Sequence, residues 1–170
     1  KRQSTTRAIK YVTNQGDGSF GSATTASADP ISTSIRLLEG ADFNRDGTLD
    51  LVTWSTRPKE LIIKSASGEG TYSITNTIPA SLAVTTMESG DFDGDGWPDI
   101  ALGSSSPRTA TILWNESGSS NDTSSFSVDT EILDLEGCQE PRGCRPHGGT
   151  LIDIDSDGDL DAVGVVTHPG

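Results

Sequence analysis

Carboxylates at fixed spacing are the residues of this chain best suited to chemistry. Asp42, Asn44, Asp46 and Asp50 stand at positions one, three, five and nine of a short segment. Asp91, Asp93, Asp95 and Asp99 repeat that spacing, as do Asp153, Asp155, Asp157 and Asp161. Oxygen donors at alternate positions of a tight loop can converge on a hard cation, and calcium takes six to eight oxygens. Position seven would add a backbone carbonyl oxygen, which leaves its side chain free to vary; it is Thr48, Trp97 and Asp159. Position six is Gly47, Gly96 or Gly158, where the chain must turn sharply and glycine reaches positive φ at low cost. The expected ligand is therefore Ca2+, at three sites. Magnesium gives up its water reluctantly and fits a loop rich in protein oxygens less well. An EF-hand would carry a bidentate Glu at position twelve, where this chain has Thr53, Leu102 and Gly164. The plainer alternative is a set of Asp-Gly hairpin turns. Three loops with the same four oxygen-bearing positions and the same glycine argue against it, as does the mutual repulsion of so many like charges without a cation.

Short apolar runs flank each loop. Ile35, Leu37 and Leu38 precede the first, and Leu49, Leu51, Val52 and Trp54 follow it. Ile100, Ala101 and Leu102 follow the second, and Leu160, Ala162, Val163, Val165 and Val166 follow the third. Such runs, often β-branched and ended by Gly, Ser or Pro, predict strands. Each acidic loop then joins two strands, A and B. A further pair, C and D, is expected after each of the first two loops: 60–65 with 71–78, and 109–114 with 126–133. A similar pair, 8–13 with 19–25, opens the chain. The predicted order is CD-ABCD-ABCD-AB, an all-β fold of three four-stranded antiparallel units with the last split between the termini. The corresponding boundaries are 1–30 for strands C and D of the split unit, 31–80 and 81–146 for two full repeats, and 147–170 for strands A and B of the split unit. The first aspartates of the loops lie 49 and 62 residues apart, periods found in propeller blades and other β arrays.

The shared motif, Asp-x-Asp/Asn-x-Asp-Gly-x-x-Asp followed by an apolar strand, resembles the FG-GAP or VCBS-type repeat of integrin α-subunit propellers and many secreted proteins. The segment from Asn14 to Phe20, with its Gly-Asp-Gly-x-Phe turn, is similar to the one that often precedes such a loop. The resemblance covers nearly the whole chain. It implies four-stranded blades with calcium in the A–B loop, as a partial propeller or propeller-like array. It implies no single activity, because such repeats serve adhesion, carbohydrate binding and plain structure. Three units cannot close a ring, since propellers use four to eight blades. Asn44 departs from the aspartate of the motif, which marks the first site as the weakest of the three.

Composition limits the other possibilities. The chain has 170 residues and a formal net charge of -13, with a sequence pI near 4.3 and a mean hydropathy of -0.38. That acidity disfavours nucleic acid as a partner, and no stretch is long and apolar enough to span a membrane. No signal peptide is evident and the chain does not begin with Met, as expected of a mature product or a segment of something longer. Cys138 and Cys144 flank Pro141 and Gly143, a turn that could bring the sulfurs together as a disulfide in an oxidising compartment. Two free thiols in a cytosolic loop are the alternative. A metal site on these cysteines lacks partners, since the only histidines are His147 and His168. Asn115-Glu-Ser and Asn121-Asp-Thr are N-glycosylation sequons. With the disulfide they predict an extracellular, secreted glycoprotein.

Three functional classes follow. The first is a calcium-stabilised structural or adhesive module, whose unpaired terminal strands add to those of a second copy and build a filament or ring. A fragment of a longer propeller protein would show the same split unit. The second is a carbohydrate- or protein-ligand-binding propeller, with Trp97 as the exposed aromatic and Trp54 and Trp114 packed between blades. The third, an enzyme, is not expected: no nucleophile with base and orienter, no His-based metal site and no phosphate loop is present.

Overall fold

A computed structural model describes residues 8–26, 34–68, 70–105, 108–116, 126–131, 145–152, 154–155 and 161–167. Among these residues there are twelve strands and no helix. A four-stranded antiparallel sheet has the order β3-β4-β5-β6, from Ile35–Ala41, Asp50–Thr56, Lys59–Gly68 and Thr71–Pro79. A second has the order β7-β8-β9-β10, from Val84–Gly90, Asp99–Ser105, Arg108–Asn115 and Phe126–Glu131. Each is a meander in which neighbours in sequence are neighbours in the sheet, as the predicted A-B-C-D order requires. Two-stranded sheets stand at either end of the sequence: β1 (Lys10–Tyr11) with β2 (Thr24–Thr25), and β11 (Arg145–Ile152) with β12 (Asp161–Thr167). Within the described chain these two pairs form separate sheets, so the split unit expected from the repeat is not joined into one.

The two large sheets pack face to face. In the first, the cross-strand pairs Val52 with Ile63 and Trp54 with Leu61 share one face, and all four side chains are buried. They form one cluster with Met87, Ile100, Leu102 and Leu113 of the second sheet. Because side chains alternate along a strand, the register Met87 with Leu102 and Ile100 with Leu113 puts these residues on one face of that sheet. Strand β4 is buried on both faces, with Thr53 and Ser55 as inaccessible as Val52 and Trp54. The first strands of successive units, β3, β7 and β11, lie against one another in that order.

The opening pair is less regular than the sequence predicts. Tyr11 pairs with Thr24, and the next backbone bond runs from the Gly21 amide to the Thr13 carbonyl at 2.8 Å. Val12 therefore faces two residues, Ser22 and Ala23, and the ladder breaks at this bulge. Beyond it, side chains take up backbone donors: Asn14 Oδ1 accepts from the Gly16 amide at 2.8 Å, and Asp17 Oδ1 from the Ser19 amide at 2.9 Å. Such local bonds compete with strand pairing. Only the bridge between Asn14 and Phe20 remains.

Candidate metal centres in the strand-connecting loops

The first acidic loop joins β3 to β4 and the second joins β7 to β8. Register fixes their ends identically. The residue before position one pairs with position nine in each: Ala41 with Asp50, Gly90 with Asp99 and, across the third loop, Ile152 with Asp161. Position nine is thus the first residue of the returning strand, and its carboxylate is drawn under the loop. Asp50 and Asp99 are almost wholly buried.

Each buried carboxylate accepts two backbone N–H groups. Asp50 Oδ2 accepts from Phe43 at 3.1 Å and Oδ1 from Ala66 at 2.9 Å. Asp99 accepts from Phe92 at 2.9 Å and from Asn115 at 2.8 Å. One donor is position two of the same loop; the other comes from strand C. Burial raises the pKa of both groups. The two amide donors oppose that rise, and the neighbouring loop carboxylates, Asp46 and Asp42 or Asp93 and Asp95, add to it. A cation would offset both burial and repulsion.

The rest of each loop is a run of tight turns. Position one accepts from the position-six glycine: Asp42 Oδ2 from Gly47 at 2.9 Å, and Asp91 Oδ2 from Gly96 at 2.8 Å. Position three accepts from position five, Asn44 from Asp46 and Asp93 from Asp95, both at 3.1 Å. Position five accepts from position seven, Asp46 from Thr48 at 2.8 Å and Asp95 from Trp97 at 2.7 Å. Thr48 Oγ1 also donates to Asp46, and these bonds hold the Asp46 carboxyl below its usual range. Both position-six glycines have positive φ, +86° and +87°. Position four does too, as Arg45 at +54° and Gly94 at +74°; sequence reading did not single out that position, and Gly94 was its only signal.

In the second loop three carboxylates converge. One carboxylate oxygen from each of Asp91, Asp93 and Asp99 lies within 4.8 Å of the others, and Asp91 Oδ1 is buried with no hydrogen-bond partner. A buried, unpaired carboxylate oxygen is costly, and an oxygen-only donor set suits a hard cation, so these residues fit a divalent ion. In the first loop the Asn44 amide donates to Asp46 Oδ2 at 3.0 Å, which satisfies internally part of what a cation would otherwise satisfy. In the third, Asp155 is exposed and Asp161 opens β12, while Asp153, Asp157 and Asp159 lie outside the described residues. So do Cys138, Cys144 and Asn121.

Two side chains join the first loop to the second. The Arg45 guanidinium lies over the Trp97 ring, 4.9 Å from its centroid. Trp97 is half-buried and one face is covered, unlike the exposed platform expected from sequence. Asn115 Nδ2 donates to the Phe43 carbonyl at 2.9 Å and the Pro98 carbonyl at 3.1 Å. With Asn115 only 2% exposed, the nitrogen that would carry a glycan is enclosed and engaged. The first sequon thus sits at a residue whose side chain belongs to the junction between the two loops. Trp54 is in the core and Trp114 is half-buried.

The sequence matches the FG-GAP-like repeat over residues 42–102 and again over 91–164. The chain belongs to the FG-GAP-like repeat family. Each match opens at position one of an acidic loop and ends within the returning strand of the next unit, so the family's repeat and the sheets of this structure share one register. No curated protein and no solved structure matches the chain.

Proposed function

We propose that this FG-GAP-like chain is a calcium-stabilised extracellular repeat module with a structural or adhesive role. The observation that best supports it is the second loop, where Asp91 Oδ1 is buried without a partner beside Asp93 and Asp99. Asp91, Asp93, Asp95 and Asp99 would hold the ion there; Asp42, Asn44, Asp46 and Asp50 would do so in the first loop. Asp153, Asp155, Asp157 and Asp161 would do so in the third. The backbone oxygens of Thr48, Trp97 and Asp159 complete the three sets. Calcium would supply charge neutralisation and a rigid link between strands; the protein supplies the turns and buried amides that hold the carboxylates. The role is binding and structural rather than enzymatic.

Ligand binding to the folded form alone stabilises it by about 2.7 kcal/mol per site at a hundredfold excess over Kd. For a chain of this length that raises Tm by about 5–10 °C. Melting in calcium, in magnesium and in chelator should show the rise in calcium only, and Asp91→Asn should shrink it. Equal Tm values in calcium and chelator would sink the reading. The extracellular part rests on the Cys138–Cys144 disulfide and the Asn121 sequon; mass mapping of non-reduced, secreted material should find both the bridge and a glycan at Asn121.

The assembly part rests on the two-stranded pairs. Strand β12 has β11 as its one hydrogen-bonded neighbour among the described strands, and β1 has only β2. Adding β1 of a second copy beside β12 would complete a four-stranded unit by β-augmentation; a further stretch of a longer polypeptide would do the same. Electron microscopy with calcium and then with chelator should show fibres or rings that come apart, whereas isolated particles under both conditions count against assembly.

A further inference from the structure

The first and second loops are chemically one unit. The buried carboxylates Asp50 and Asp99 are connected through only two residues. Asp50 Oδ2 accepts from the Phe43 amide at 3.1 Å. The Phe43 carbonyl accepts from Asn115 Nδ2 at 2.9 Å. The Asn115 backbone N–H donates to Asp99 Oδ1 at 2.8 Å. The second hydrogen of the Asn115 side-chain amide goes to the Pro98 carbonyl at 3.1 Å, the peptide just before Asp99. Phe43 is fully buried and Asn115 nearly so, so water cannot readily substitute for any of these bonds, and breaking one leaves a buried group unpaired. Phe43 also meets Phe126 edge to face, with centroids 6.1 Å apart, which fixes its peptide against the second sheet. Outside this buried chain, Arg45 covers Trp97. The first sheet has Ala66 at the matching place: its amide reaches Asp50 as the Asn115 amide reaches Asp99, but it has no side-chain donor. The clamp is a property of this junction rather than of the repeat.

We propose that Asn115 is a positioning residue that couples the two loops, so that a cation held by Asp91, Asp93 and Asp99 raises the affinity of the first loop. An ion at the second loop fixes Asp99; Asp99 fixes the Asn115 backbone; the Asn115 side-chain amide fixes the Phe43 peptide; and the Phe43 N–H holds the Asp50 carboxylate. The first loop needs such help most, because its Asn44 brings one carboxylate fewer. This inference rests on the calcium reading above.

The Gly47 and Gly96 amides report on the two loops separately, since each donates to the position-one carboxylate of its own loop. Amide proton–nitrogen correlation spectra of the full chain are recorded during a calcium titration. Coupling of the usual size corresponds to at least about a fivefold change in affinity. Asn115→Ala should therefore raise the calcium concentration at the Gly47 midpoint by about fivefold or more. Asp91→Asn, in a chain that retains Asn115, should do the same to Gly47 although it alters only the second loop. Adding Asp91→Asn to Asn115→Ala should shift Gly47 no further. Ser117→Ala, which destroys the sequon and keeps the asparagine, should leave both midpoints where they were. An unchanged Gly47 midpoint in Asp91→Asn overturns the coupling, even if Asn115→Ala fails to fold. A glycan found on Asn115 of folded secreted chain also overturns it. If neither glycine responds to calcium in the unmodified chain, the calcium reading itself fails, and the coupling with it.

Discussion

Asp50 and Asp99 show how one residue type at one register position serves two purposes. Each begins a strand, and each caps two amides from different segments. Asp50→Ala should cost about 2–6 kcal/mol, because it strands two buried N–H groups at about 1–3 kcal/mol each; urea unfolding in chelator checks it without any contribution from metal. The position-six glycines make a second comparison. Both have positive φ, but a Cβ on Gly47 meets nothing within 4 Å, whereas a Cβ on Gly96 would fall 2.3 Å from Arg45 Nη2. Gly47→Ala should cost about 1 kcal/mol from the backbone alone. Gly96→Ala should cost about 0.5–1 kcal/mol more, the worth of an exposed cation–π contact, and that excess should vanish in an Arg45→Ala background. Equal losses in the two unmodified backgrounds would show that the Arg45–Trp97 contact contributes nothing.

At the scale of elements, the junction between the two large sheets carries the core. Trp54 is the largest of its buried side chains, and Trp54→Ala should cost about 3–5 kcal/mol, measured by urea denaturation. The first strands of the two sheets carry a charge conflict as well. Glu39 on β3 has its pKa raised, first by burial and then by Glu88 on the adjacent β7. A carboxyl whose folded pKa exceeds its unfolded value binds more protons when folded, so its contribution to stability falls as pH rises through that interval. Glu39→Gln should therefore stabilise the chain at neutral pH, by about 0.5 kcal/mol as for other partly exposed charge contacts. The gain should disappear below the ordinary glutamate pKa of about 4.3. A gain that persists at pH 3 would point to packing instead. The strand assignments themselves were largely legible: A, B, C and D appear where alternation and β-branching place them. The opening pair was the exception, because the bulge at Val12 and the Asn14 and Asp17 side-chain bonds consume the pairing that composition alone allows.

For the molecule as a whole, stability should be graded from the centre outward. Strands β4, β5, β8 and β9 are the inner members of the large sheets, while β1 and β2 pair over only two residues. Local opening is easiest where buried contacts are few. Amide exchange should therefore be slowest at Val52, Leu61, Ile63, Ile100 and Leu113, and fastest at Tyr11 and Thr24. Uniform protection across all of these would mean that the end pair is held by something beyond its own two-residue ladder.

The sequence by itself determined the acidic loops, their register, the strand order and the family, because all of these are local: spacing, alternation and turn chemistry are written within about a dozen residues. Tertiary structure alone decided what crosses between units. Asn115 reads as a glycan acceptor because a sequon is a local pattern, yet it is buried against Phe43 and Pro98, residues 72 and 17 positions away. Trp97 reads as an exposed ring until Arg45, from the preceding loop, is found lying on it. Asn44 already marks the first loop as one carboxylate short, but which oxygen of the second is left unpaired depends on where the chain folds the other donors. The Asn115 and Arg45 contacts leave no periodic trace in the sequence, since neither is repeated between the two large sheets.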